Sequence, residues 1–260
     1  MNGYIFEYLL EGIVALFGML FGSFLNVCIY RIPRGESIVF PASHCPHCQH
    51  PIKPYDNIPV FSFLWLRGKC RSCNATISWR YPMVEALTGV LFWYIVHRYS
   101  FTWTAFAYMV FTVLLIAISF IDLDHMIIPD VLSLPGIMLG FGASFLIPRP
   151  WYDSLIGLLV GGGMILLVGE VGARIFKKEA MGGGDVKLMA MIGAFLGWKM
   201  VLLTIFFASL IGAIIGIAMK LATGKEYIPF GPFLSVGALC ALFFGENFLQ
   251  WYLTFLIPSG

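Results

Sequence analysis

The chain has 260 residues, of which 59% are hydrophobic and 16% aromatic, and only 12% are charged. A soluble domain carries about 25% charged and about 45–50% apolar residues, so the composition excludes an ordinary soluble protein and indicates a chain that crosses a membrane several times. The net charge of +2, with no basic run, argues against a nucleic-acid partner. Backbone groups must be satisfied inside the bilayer, which leaves helices or a closed barrel. The apolar segments here are long and continuous rather than alternating, so helices are expected.

In chain order, spans are expected near 5–30, 82–98, 102–121, 131–148, 154–176, 186–198, 200–221 and 229–257. The expected fold is thus an all-α polytopic membrane protein of about eight transmembrane helices. The first segment lacks a basic n-region and a small-residue cleavage pattern, so it reads as a retained span rather than a signal peptide. The one sizeable polar insertion, 31–81, follows it. The expected organisation is a first transmembrane helix (1–30), a cytoplasmic zinc-binding unit (31–81) and a helical membrane domain (82–260).

Lysine and arginine placement orients these spans. Arg31, Arg34, Lys53, Arg67, Lys69, Arg71 and Arg80 fall on one side, together with Arg174, Lys177, Lys178, Lys187, Lys220 and Lys225. Only Arg98, Arg149 and Lys199 fall on the other. This asymmetry places the N-terminus outside and the loops 31–81, 122–130 and 177–185 in the cytoplasm.

The insertion holds "CPHC" (Cys45, Cys48) and "CRSC" (Cys70, Cys73). Two CxxC pairs about 20 residues apart can present four thiolates to one tetrahedral ion, the pattern of a small zinc ribbon. Disulfides or a redox dithiol are the alternatives. A cytoplasmic location disfavours the first, and a redox role would not require two matched pairs. One structural zinc per chain is the expectation, with His44, His47 and His50 as less favoured ligands. Cys28 and Cys240 lie in apolar spans and read as core fillers.

Acids at membrane helices are costly and mark function. Glu7, Glu11, Asp153, Glu226 and Glu246 lie near expected helix ends, within reach of water. In "FIDLDHMIIPD" (120–130), Asp124 and Asp130 read as a solvated loop and an N-cap, whereas Asp122, nearest the span, is harder to dismiss. "MGGGDVKL" (181–188) places Asp185 after three glycines. Asp185 has a bland reading as an N-cap for a helix starting at Val186. The glycines, which permit positive φ and close backbone approach, suggest instead a hinge that brings the carboxylate to a partner. Two adjacent carboxylates share a proton, so one can activate water while the other protonates a leaving amide. Asp122 and Asp185, at similar depth, fit such a pair, with Asp124 as the alternative to Asp122.

Five blocks in this order, "GSFLNVCIYRIPRGES" (22–37), the two CxxC pairs, "ISWRYPMVEALTG" (77–89), "DLDHMIIPD" (122–130) and "GGGDVKLMAMIGAFLGW" (182–198), resemble the bacterial type IV prepilin leader peptidase/N-methyltransferases, membrane aspartyl proteases of the GxGD class. The resemblance implies residence in the bacterial inner membrane. It also implies cleavage of a leader from prepilins or type II secretion pseudopilins at the cytoplasmic face, and methylation of the new N-terminus from S-adenosylmethionine. It places the catalytic aspartates on Asp122 and Asp185. For the methyl-transfer half no Gly-rich nucleotide loop is visible. Glu85, with Arg80, is a candidate for orienting the amine or the donor, its bland reading being a buried acid paired with that arginine. Asn26, Arg31 and Arg34 are candidates for shaping the substrate entrance. A transporter would place its acids near the midplane of the bilayer and show a repeat between halves, and a zinc metalloprotease would need an HExxH helix. Neither feature is present in the sequence.

Overall fold

The computed structural model describes residues 2–177, 181–224 and 228–256. Lys178, Lys225, Glu226 and the last residue of the expected 229–257 span lie outside the described residues. Nine α-helices are described: α1 (Asn2–Arg31), α2 (Phe61–Trp65), α3 (Arg80–Tyr99), α4 (Trp103–His125), α5 (Asp130–Ala143), α6 (Trp151–Phe176), α7 (Gly183–Leu196), α8 (Trp198–Thr223) and α9 (Gly231–Leu256). No strand occurs among the described residues, only the isolated bridges His44–Pro51 and Lys69–Thr76. The protein is therefore all-α with a cysteine-bearing insertion.

Each of the eight expected spans overlaps a helix of 14 residues or more. Five of these, α1, α4, α6, α8 and α9, are long and apolar enough to cross a membrane by length and composition alone. The other three are less regular: α3 carries polar residues at both ends, and α5 and α7 have 14 residues each. The fourth expected span, 131–148, is cut short because the chain leaves the helix after Ala143.

Helix ends follow local chemistry. α1 runs into the 3-10 turn Ile32–Arg34, and Gly35, at φ 68°, turns the chain away. Pro82 sits in the first turn of α3, where its missing N–H costs nothing. Gly197, at φ 80°, ends α7 and starts α8, a conformation that favours glycine.

The chain forms two compact units, Met1–Ala117 and Ile118–Gly260. In the first, α1 and α3 pack antiparallel through glycine. A Cβ on Gly18 would meet Gly89 Cα at 2.9 Å, and one on Gly22 would meet Glu85 Cα at 2.6 Å. Such small-residue contacts let membrane helices approach closely. Glu11, expected to be water-solvated, instead accepts hydrogen bonds from Trp93 Nε1 at 3.0 Å and pairs with His97 Nδ1 at 3.1 Å, tying α1 to α3. In the second unit α7 is the central helix, with every residue from Leu188 to Leu196 buried. A helix that is apolar all round belongs in a core. Helices α5, α6, α8 and α9 surround it.

Candidate functional site

The last turn of α4 carries Asp122 and Asp124, so "DLDH" is helix rather than loop. The helix stops where Met126 adopts φ 53° and its N–H bonds to the Asp122 carbonyl at 2.8 Å. Asp122 is 5% exposed, and its Oδ2 accepts the Gly231 N–H at 3.0 Å, at the first residue of α9. Asp124 is exposed. Two residues along the same turn thus sit in opposite environments, because a 200° rotation separates their side chains.

Asp185 does not cap a helix at Val186. Helix α7 begins three residues earlier, at Gly183, with Gly182 as N-cap, and Asp185 is its third residue. From there the carboxylate reaches back to the Gly182 N–H, as the acid of a capping box does. The three glycines are not a positive-φ hinge: Gly182 has φ −77°, and Gly183 and Gly184 are helical. Only Gly184 shows the expected close approach, and to a side chain rather than a backbone. A Cβ there would meet Ile128 Cβ at 2.9 Å. Ile128 also lies against Gly231, where a Cβ would meet its Cδ1 at 3.4 Å and Asp122 Oδ2 at 2.6 Å. Ile128 therefore bridges the glycine beside Asp185 and the glycine holding Asp122. The two carboxylates are close enough to repel one another.

Asp130 is the first residue of α5 and Pro129 its cap, so the expected N-cap is corrected. The Asp130 carboxylate accepts from Lys187 Nζ at 2.6 Å, joining α5 to α7 two residues beyond Asp185. Within this unit, the residues around 128 and those from 182 to 187 form one cluster at one end of the helices. Gly231 goes unrecognised when the sequence is read alone. The one available signal was its position between Phe230 and Pro232 in "IPFGPF", a helix-start pattern.

In the other unit the four cysteines converge. The Sγ atoms of Cys45, Cys48, Cys70 and Cys73 all lie within 4.8 Å of one another, with Cys45 and Cys73 3.8 Å apart. Tetrahedral zinc with Zn–S bonds of about 2.3 Å requires about 3.8 Å between sulfurs, so the set fits that ion without histidine. The local cause is a repeated turn. Cys45 N–H bonds to His50 O and Gln49 N–H to Cys45 O; Cys70 N–H bonds to Ala75 O and Asn74 N–H to Cys70 O. Gln49 and Asn74 occupy matching positions at φ 57° and 58°. The N–H groups of Cys73 and Ser72 bring the Cys70 thiol down to about 7, while burial and the neighbouring thiols push Cys73 up to about 12. Arg71, between the second pair, grips Asp56 with both Nε and Nη2 and holds that carboxyl below the usual carboxylate range.

Glu85, in α3, is buried. Its Oε2 accepts the Val60 N–H at 2.7 Å, and the Ser23 hydroxyl of α1 is a second partner. Val60 has φ 61° and ψ −50°, and Phe61 N–H closes onto Pro59 O at 2.6 Å. That is a γ-turn of the strained, positive-φ kind, rare for a β-branched residue. Asn26, also buried, donates to Tyr81 O at 3.1 Å. Arg80 begins α3 one turn before Glu85. Arg31 is buried and donates to the carbonyls of Ser37 and Pro41, and Arg34 lies 3.9 Å over the Tyr30 ring. Cys28 is buried and Cys240 half-buried.

Residues 16–99 match the model of the bacterial peptidase A24 N-terminal domain, and residues 109–217 that of the type IV leader peptidase family. Proteins named prepilin leader peptidase/N-methyltransferase are similar across most of the chain. The one from Pseudomonas aeruginosa is 40% identical, with 92% of each chain covered. The one from Aeromonas hydrophila is 37% identical, with 93% of each covered. One from Myxococcus xanthus is 44% identical over 80% of this chain, which spans 62% of that relative's length. No solved structure matches.

Proposed function

The chain belongs to the type IV leader peptidase family, and from that premise we propose that it removes the leader of prepilins with Asp122 and Asp185 and then methylates the new N-terminus. The observation that carries the reading is the convergence of the two acids: Asp122, buried and held by the Gly231 N–H, and the first turn of α7, which bears Asp185, both close on Ile128. Like charges this near favour a state with one shared proton. The ionised member takes a proton from water as that water attacks the scissile carbonyl, and the protonated member gives its proton to the departing amide nitrogen. The Gly231 N–H keeps one carboxylate in place, and Ile128 packs between Gly231 and Gly184, the glycine next to the other. Asp124, exposed on the other side of the turn, is the less suitable partner.

The four cysteines would hold zinc. A four-thiolate site is closed, so the ion supplies folding energy to the insertion rather than chemistry. S-adenosylmethionine is the methyl donor and therefore a substrate, consumed as the amine attacks its methyl group. Asn26, bonded to the Tyr81 carbonyl, Arg80, at the start of α3, and Glu85, bonded to the Val60 N–H, lie in the same unit as the cysteines and support assigning that half to this second step. The bias of lysine and arginine supports an inner-membrane protein of eight crossings with the cysteine unit and both aspartates on the cytoplasmic side. Pseudopilins of type II secretion share the substrate class.

The test is cleavage of a purified prepilin by the full chain. Asp122→Asn and Asp185→Asn each lower the rate by about 10³-fold or more, since neither asparagine titrates. Both keep zinc and still methylate a substrate already lacking its leader. Asp124→Asn retains cleavage. Cleavage by Asp185→Asn at the wild-type rate would end the aspartyl mechanism.

A further inference from the structure

The insertion between α1 and α3 exposes an unusual amount of apolar surface. Phe61 is 58% exposed, Leu64 60% and Trp65 83%, all on the five-residue helix α2. Only Phe63 turns inward, onto Gly68 and the Trp79 ring. A free-standing water-soluble zinc unit would bury such residues.

The depth of this segment follows from its tether. Val60, immediately before α2, is bonded to Glu85 in α3, which also takes the Ser23 hydroxyl of α1. Glu85 lies five residues inside the start of α3 at Arg80, and Ser23 eight residues inside the end of α1 at Arg31. At 1.5 Å per residue the turn is therefore about 7–12 Å below the helix ends. This is the depth at which interfacial helices seat their apolar face, about 5–10 Å into the boundary of headgroups and chains. At the same level α1 and α3 turn Phe24, Met83 and Leu87 outward, so α2 continues a surface that already faces lipid.

The charges agree with this depth. Beside Trp65 a concavity of about 410 Å³ is lined by Arg67, Lys69, Cys70, Asn74 and Arg71, the last already paired with Asp56, so that Arg67 and Lys69 supply its free positive charge. It has the size and sign to take a phosphate headgroup, and tryptophan next to basic residues is the usual composition of a membrane interface.

We propose that residues 58–66 form a re-entrant interfacial anchor, with Phe61, Leu64 and Trp65 seated in the cytoplasmic leaflet and Arg67 and Lys69 at the phosphates of its anionic lipids. The zinc unit then lies flat against the membrane, held by Glu85 from within and by lipid from outside. This inference does not depend on the peptidase reading.

The experiment uses the full-length zinc protein in vesicles of phosphatidylethanolamine and phosphatidylglycerol, without prepilin. The vesicles are doped with a phospholipid bearing a diazirine near the carbonyl end of its acyl chain. After illumination and digestion, adducts are mapped by mass spectrometry, with the exposed α1 residues as the internal reference. Adducts on 58–66 at a yield comparable to α1 are expected. They should fall several-fold when phosphatidylcholine replaces phosphatidylglycerol, and also in Arg67→Gln/Lys69→Gln in the original vesicles. Labelling of 58–66 by a water-soluble diazirine in place of the lipid probe would overturn the proposal. So would protection of the segment from both probes, which would mean that protein, a second copy included, covers it. Labelling indifferent to the anionic lipid would overturn the phosphate contact. The main reading is made on the unmodified chain, so it does not rest on a variant that must fold.

Discussion

Gly193 offers a sharp test of how packing controls the aspartate pair. It lies on the buried helix α7, eight residues beyond Asp185, where an added Cβ would fall on the Gly157 carbonyl of α6 and meet Leu158 N at 2.9 Å. The contact is reciprocal, since a Cβ on Gly157 would fall on the Gly193 carbonyl. An ordinary carbon contact needs about 3.5 Å, so Gly193→Ala forces α6 and α7 apart by about 1 Å. The clash is with backbone, which has no rotamer to change, and its cost is about 1–3 kcal/mol. The Ser154 Oγ–Ala194 O bond of 2.6 Å, one residue along, is strained as well. α7 moves as a rod and carries Asp185, while Asp122 stays fixed to Gly231 on α9. A displacement of about 1 Å between catalytic groups costs about 10²-fold. Leader cleavage by Gly193→Ala, measured as kcat/KM in detergent, should therefore fall by about 10²-fold, with zinc content and methylation of a leaderless substrate unchanged. Gly163→Ala, on the same pair's outer side with nothing within 4 Å, is the control and should be near neutral. Cleavage by Gly193→Ala within about threefold of wild type would refute the claim that α6–α7 contact positions Asp185.

Metal analysis should find one zinc per chain, and replacing any of Cys45, Cys48, Cys70 or Cys73 with serine should abolish it and loosen the insertion to protease, while the membrane helices stay inserted. Glu85→Leu leaves the Val60 N–H and the Ser23 hydroxyl without their acceptor, a loss of about 1–3 kcal/mol visible as a lower melting temperature, whereas Glu85→Gln keeps an acceptor and most of the stability. If Glu85→Gln is as damaging as Glu85→Leu, the negative charge matters beyond holding the turn. The Lys187–Asp130 pair is exposed at both ends, so Asp130→Asn should cost less than about 1 kcal/mol in a double-mutant cycle with Lys187→Met.

Features that depend on a few adjacent residues were legible in the chain. The membrane class follows from composition, and each long helix from an uninterrupted apolar run. The cysteine cluster follows from two CxxC turns, because each turn is built from about six residues whose hydrogen bonds are local. Helix starts were read less well. Asp185 and Asp130 each looked like a cap, but the capping position depends on where the backbone begins to coil, and here Gly182 and Pro129 hold it. The triglycine suggested mobility, whereas its residues serve as a cap and a first turn.

The sequence by itself determined which residues are available: a membrane-embedded helical chain, four thiolates set to meet one ion, and a short set of costly acids. Only the tertiary structure decided what those acids face. Asp122 and Asp185 are 63 residues apart, and the donor that fixes Asp122 is 109 residues further on, at Gly231. No spacing rule covers such distances, because the meeting is set by contacts at the helix ends, Asp122 with Gly231 and Ile128 with both Gly231 and Gly184. The same holds for Glu85, whose partners Ser23 and Val60 come from a helix and a strained turn that neither local propensity nor periodicity would place together.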